Sequence, residues 1–162
     1  MEINEKARGE LFNEINGLST ESFNKKPSDD EWSIKQIVEH LCLMEGAIAK
    51  MIQGKLENGE VVNAEMKPIE AATNRKIKID APEFALPGNE FATLEELKTK
   101  LNVTHQTLLK IEELADEKEL KIKGFPHPVF GQMSLEQWIP FVGYHEMRHI
   151  LQIKEVKEKL GL

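Results

Sequence analysis

Cysteine is nearly missing from this sequence: Cys42 stands alone among 162 residues. A single thiol excludes an internal disulfide and suits a reducing compartment. Long apolar runs are missing too, none approaching the ~20 residues that cross a bilayer, so no membrane span is expected. The first thirty residues carry charges of both signs and lack the apolar stretch of a secretory signal. The expected location is cytoplasmic. Positive charge is also in deficit, with 21 Lys and Arg against 28 Asp and Glu, a formal net charge of −7 and a pI near 5.3. That field repels a phosphate backbone, and no compact basic stripe with interleaved aromatics overrides it. Nucleic acid is therefore not expected as a partner. Internal repeats and low-complexity tracts are absent.

Helical periodicity is what the chain has instead. Its length and 40% hydrophobic content suit one domain, residues 1–162, with a substantial core. Ile3, Ala7, Leu11, Phe12, Ile15 and Leu18 recur at spacings of three and four and predict a first helix over 3–18, weakened by Asn16-Gly17. Ser33 and Gln36 form a capping-box pattern ahead of Ile34, Ile37, Val38, Leu41, Met44 and Ile48, a second helix that Gly54 is expected to end. Thr93 and Glu96 open a third, striped by Leu94, Leu97, Leu101, Leu108 and Ala115. Ser134 and Gln137 open a fourth, through Trp138, Val142, His149, Ile153, Val156 and Leu160. Four amphipathic helices bury their stripes against one another, so the expected class is all-α and the architecture a four-helix bundle.

The link over 55–92 is rich in Pro, Gly, Asn and charge. It is long enough to run the length of a bundle, and a connector of that size often covers a cavity. Val61-Val62 and "KIKID" within it are candidate extended pieces. "KIKGFPHPVFGQM", punctuated by Pro126, Pro128 and Gly131, reads as a turn before the fourth helix.

Two histidines stand four apart in "FVGYHEMRHILQI". At about 100° per residue, with Val142 as zero, His149 falls at about −20°, His145 at about −60° and Glu146 at about +40°. All three lie in the arc set by Trp138, Leu135, Ile153 and Leu160. One inward histidine is most often a hydrogen-bonded core residue. Two on neighbouring turns can aim at one point, and a divalent cation such as zinc or nickel suits paired imidazoles. A third ligand must come from another helix. His40 lies at the margin of the second helix's stripe and His105 near the centre of the third's, so periodicity leaves both open. His127, between two prolines, reads as a surface or hinge residue. Cys42, roughly 200° round the helix from His40, reads as a small buried hydrophobe.

Taken literally, His145-Glu146-Met147-Arg148-His149 is the H-E-x-x-H string of zinc peptidases. Such an enzyme takes a third ligand from another element downstream. Glu155 and Glu158 continue the same helix, too far along its axis, at ~1.5 Å per residue, to converge with both histidines. A di-iron bundle needs a second E-x-x-H and further glutamates, which this sequence lacks.

"EWSIKQIVEHL" and "HPVFGQMSLEQWIPFVGYHEMRHILQI", in that order and at that spacing, resemble the DinB-like superfamily of metal-dependent enzymes, including its small-thiol transferases. The resemblance covers the start of the second helix and all of the fourth, and extends loosely over the rest. It implies an up-down-down-up bundle with a long crossover between the second and third helices, often a homodimer. It also implies a divalent metal held by one histidine of the second helix and an H-x-x-x-H pair of the fourth. Carried onto this sequence, the ligands are His40, His145 and His149, with His105 outside the site. The implied chemistry is Lewis-acid activation on a small-molecule substrate. Transfer of a low-molecular-weight thiol cosubstrate to an electrophile is the first expectation, hydrolysis of an ester or amide the alternative, and a non-catalytic metal-binding dimer the third reading.

Glu146, beside His145 on the buried arc, is the candidate catalytic base, with an ion-pair or ligand-orienting carboxylate as the competing role. Gln152, one turn beyond His149, is placed to hydrogen-bond a ligand or a ring nitrogen. Trp32 and Trp138 are expected as core anchors or at a cavity mouth.

Overall fold

The computed structural model describes residues 2–162. Its helices are α1 (Glu2–Ile15), α2 (Thr20–Asn24), α3 (Ile34–Asn58), α4 (Leu94–Leu114), α5 (Glu117–Ile122) and α6 (Leu135–Leu160). The first helix stops at Ile15 because Gly17 takes φ 84°, a left-handed conformation that glycine adopts freely. Ser19 then caps the short α2 by accepting the Ser22 N–H. Ser33 and Gln36 make the expected reciprocal box at the start of α3, and Thr93 and Glu96 make it at α4. Gly54 does not end α3. Nothing lies within 4 Å of where its Cβ would stand, so it faces solvent. A mid-helix glycine costs roughly 1 kcal/mol, less than the ~1.5–3 kcal/mol from burying a side chain such as Ile52, and the helix runs on to Asn58. In α6 the Ser134 hydroxyl accepts the Gln137 N–H, but the Gln137 side chain turns away to hold the backbone of Lys67 from both sides. Pro140 lies inside α6 without ending it.

A short two-stranded antiparallel sheet adds to the mostly helical fold that was expected. Gly124–His127 (β1) pairs with Gly131–Ser134 (β2), where the sequence suggested a turn alone. Pro126 lacks a donor, but each strand of a two-stranded ribbon has a free edge where the missing N–H is harmless. Gly131, at φ 76°, closes the hairpin. The helix α5 was also not foreseen; Asp116 caps it by accepting from Lys118 and Glu119 N–H.

The four long helices form a four-helix bundle. Along α1 and α6, Asn4 donates to the Ile139 carbonyl at 2.9 Å, Arg8 meets Glu146, and Lys157 meets Glu14. At Gly143 a Cβ would stand 3.0 Å from Asn4 N and Ile3 C, and closer still to Asn4 Oδ1, so this pair touches backbone to backbone. Between α3 and α4, Cys42 meets Leu97 and Glu45 meets Thr104. The core falls into two apolar clusters, one around Ile52, Leu108, Met133 and Trp138, the other around Leu11, Ile37, Leu101 and Ile153. Buried polar groups lie between them: Arg8, His40, Glu45, His105, Glu146 and His149.

The long link returns along α6 and then across to α3. Val61 bridges Lys123, and 3-10 turns occupy Ile69–Thr73 and Glu83–Ala85, but "KIKID" at 76–80 carries no strand. Arg148, buried, donates to the carbonyls of Ala72, Asn74 and Ile77. Gln36 and Lys35 hold the Gly88 carbonyl, and Asn24 pairs with Ala92 in both directions. No helix among the described residues is long and apolar enough to cross a membrane.

Candidate metal centre

His40 comes from the second turn of α3, His145 and His149 from the middle of α6, and their rings meet between the two apolar clusters. His40 and His149 are almost fully buried, and His145 is half-buried. One ligand atom from each lies within 4.8 Å of the other two, and among the described residues no other joins this group. The His145 Nε2 stands 3.2 Å from His40 Nε2 and 3.2 Å from His149 Nε2. Nitrogens bound at ~2.0–2.1 Å around one tetrahedral centre stand ~3.3 Å apart, so these separations fit a shared cation.

The hydrogen bonds on the far side of each ring decide the tautomers. His40 Nδ1 faces the Ala85 carbonyl at 2.8 Å, and His149 Nδ1 faces the Gln152 side-chain oxygen at 2.7 Å. Carbonyl oxygens accept, so both protons sit on Nδ1 and both Nε2 atoms carry bare lone pairs. A single ring proton on His145 Nε2 serves one neighbour and leaves the other neighbour's lone pair without a donor. A cation among the three satisfies all of them, and this pattern of outward N–H bonds is the one that orients metal-bound imidazoles. Burial, and then mutual repulsion, holds the rings neutral: His145 lies well below its ordinary pKa, His149 falls to about 3, and burial lowers His40. Neutral imidazole is the ligating form.

His105 is elsewhere. Its Nε2 lies 2.8 Å from Glu5, and its Nδ1 lies 3.6 Å from Glu45. Nor is Glu146 brought to the histidines. Arg8 clamps its carboxylate through Nε at 3.2 Å and Nη2 at 2.9 Å, spans to Glu45 at 3.0 Å, and donates through Nη1 to the Leu101 carbonyl at 2.9 Å. Glu146 sits next to His145 in sequence, but the two side chains leave the helix about 100° apart, and the general-base expectation finds no contact here. Burial pushes the Glu146 carboxyl up, against Arg8, whereas His105, Arg8 and Thr104 outweigh burial at Glu45 and hold it low. Trp32 lies beside His40, ring centroids 5.2 Å apart, and Phe141 lies beside His145 at 5.8 Å.

The Glu45 carboxylate, opposed by burial and helped by Glu5, raises the His105 pKa. Its stabilisation is complete below the unfolded value of about 6.5 and fades as pH rises through the folded value. The difference in urea midpoint between wild type and His105→Gln is therefore expected to be largest near about pH 6 and to shrink toward about pH 9. A difference that stays constant over that range would contradict the charged contact. The four histidines with depressed values destabilise on the acid side, and they cancel in this difference.

Arg8 and Arg148 were not expected from the sequence. Arg8 stands three residues before Leu11 and seven before Ile15, in line with the buried stripe, and that inward charge was the available signal. Arg148 lies on the edge of the α6 arc, and its carbonyl partners in the link leave no trace in sequence.

The profile of the DinB superfamily matches residues 4–153. YuaE of Bacillus subtilis strain 168, described as uncharacterized, is 37% identical over 160 residues, covering 99% of this chain and 98% of that protein. Among solved structures, YfiT from Bacillus subtilis, described as a probable metal-dependent hydrolase with an unusual four-helix bundle topology, aligns with a TM-score of 0.69 at 16% identity. That alignment covers 99% of this chain and 85% of YfiT. TT2238, described as a four-helix bundle protein, aligns at 0.65 with 18% identity, covering 95% of this chain and 94% of that one. With its profile match spanning nearly the whole length and its converged histidines, the chain belongs to the DinB superfamily.

Proposed function

We propose that this protein is a divalent-metal-dependent hydrolase of small acyl compounds, with His40, His145 and His149 as ligands and zinc or nickel as the metal. The convergence of three outward-anchored Nε2 atoms carries this reading, and the description of YfiT as a probable metal-dependent hydrolase supports it. A divalent metal held there supplies Lewis-acid polarisation of an acyl oxygen and an acidified water at its open position. The chain's own residues do the rest. Ala85 and Gln152 fix the Nδ1 protons, and burial keeps the imidazoles neutral.

With Arg8 on its carboxylate, Glu146 acts by fixing the rotation of α6 and so the aim of His145. Contacts rise in step along α1 with α6 and along α3 with α4. They support an up-down-down-up order with a long crossover, which sets His40 opposite the α6 pair. A homodimer acting on a small-molecule substrate completes the proposal. Transfer of a small thiol draws no support from the cluster or the relatives, so water is the nucleophile taken here.

Protein loaded with zinc or nickel, and the chelated form, can be assayed on a panel of 4-nitrophenyl esters with and without added thiol. The expected outcome is hydrolysis that needs the metal and no thiol. Equal rates in the chelated form would contradict the proposal, and turnover that requires thiol would replace hydrolysis with transfer.

A further inference from the structure

His127 is a half-buried histidine that the chemistry above leaves unused. Its Nδ1 accepts two backbone N–H groups, Val129 at 3.0 Å and Phe130 at 3.2 Å. A ring nitrogen that accepts twice carries no proton, so the proton sits on Nε2. That Nε2 has no hydrogen-bond partner among the described residues. The ring packs on Phe141, centroids 4.8 Å apart, and on Trp138 at 5.4 Å, while Phe141 packs in turn on His145. Phe141 and His145 are four residues apart on α6, about 6 Å of helix rise, so His127 is separated from the most open ring of the cluster by the Phe141 ring.

Its support is rigid. Phe125, two residues earlier on β1, stacks on Trp138 at 4.2 Å and accepts the Trp138 indole N–H through its carbonyl. Gln152 is engaged by His149, Arg148 by the link and Glu146 by Arg8. Burial lowers the His127 pKa to about 4, so the ring remains a neutral donor at physiological pH.

We propose that His127 is a substrate-binding residue whose Nε2–H donates to an acceptor oxygen of an acyl compound engaged at the three histidines. This rests on the metal reading given above. It explains why the hairpin β1–β2 fixes one tautomer with two main-chain donors and leaves the other ring nitrogen unpaired. A purely structural histidine uses Nδ1 to close the 127–130 turn, and a binding histidine uses Nε2, so the two roles lie on different atoms.

Two variants separate them. In His127→Asn the side-chain oxygen reproduces the Nδ1 acceptor and nothing reaches the Nε2 position. In His127→Gln the amide N–H reaches the Nε2 position and the turn acceptor is lost. The probe is benzoate, titrated by calorimetry into zinc-loaded protein, with zinc content measured on every sample. The expected result is zinc retained in both variants, benzoate about tenfold weaker in His127→Asn at an unchanged melting temperature, and affinity within about threefold of wild type in His127→Gln. Wild-type affinity in His127→Asn, equal losses in the two variants, or no benzoate binding by zinc-loaded wild type would overturn the assignment while leaving the metal reading intact. Failure of the wild type to hold zinc would overturn the metal reading, and this inference with it.

Discussion

Replacing Arg8 by alanine is expected to cost about 3–5 kcal/mol of folding stability, the loss typical when one partner of a buried ion pair is removed. Arg8 is 6% exposed, Glu45 2% and Glu146 3%, so neither carboxylate can turn to water when the guanidinium goes. Two carboxylates then lose their shared guanidinium, with His105 and Thr104 left beside Glu45, and the Leu101 carbonyl loses its donor. Against a total of about 5–15 kcal/mol for a domain, the variant stands near the edge of folding. Arg8→Met combined with Glu146→Leu and Glu45→Gln should recover much of the loss, because the cost lies in stranded charge more than in missing attraction. Urea denaturation monitored by circular dichroism reads both results. A single-variant loss below about 1 kcal/mol, the size expected of a surface pair, would show that this network does not bear on the fold.

The second large effect is on metal affinity. His145→Ala, His40→Ala and His149→Ala should each weaken zinc binding by more than about a hundredfold, beyond the ~10–100-fold that loss of an orienting partner costs. Gln152→Ala should fall inside that smaller range, since it removes the acceptor for His149 Nδ1 and leaves the nitrogen donors in place. His105→Ala should keep wild-type zinc affinity, because its ring is turned to Glu5 and Glu45. Competition with a chromophoric chelator measures all five. Loss of zinc in His105→Ala with retention in His40→Ala would reverse the assignment.

Local chemistry explains which features the sequence made legible. The boxes Ser33/Gln36 and Thr93/Glu96 use atoms three residues apart, so they read directly, and they stand as expected. The aim of His145 and His149 follows from helical periodicity, which needs no knowledge of the partner helix. His40 against His105 was different: both lie on inward faces, and only the packing of α3 against α6 and of α4 against α3 sends one to the histidine cluster and the other to Glu45. Glu146 shows the limit most clearly. Periodicity placed it inward, but its partner is Arg8, 138 residues away in the chain. The hairpin was read as a turn because two four-residue strands, one of them carrying Pro126, offer almost no alternation to detect.

X-ray absorption at the zinc edge of the reconstituted wild-type protein tests the central claim most directly. Three imidazole nitrogens at ~2.0–2.1 Å, with remaining density from light oxygen ligands and no sulfur, are the expected first shell. An imidazole count below three, a sulfur shell near ~2.3 Å, or a protein that retains no zinc after dialysis would contradict it.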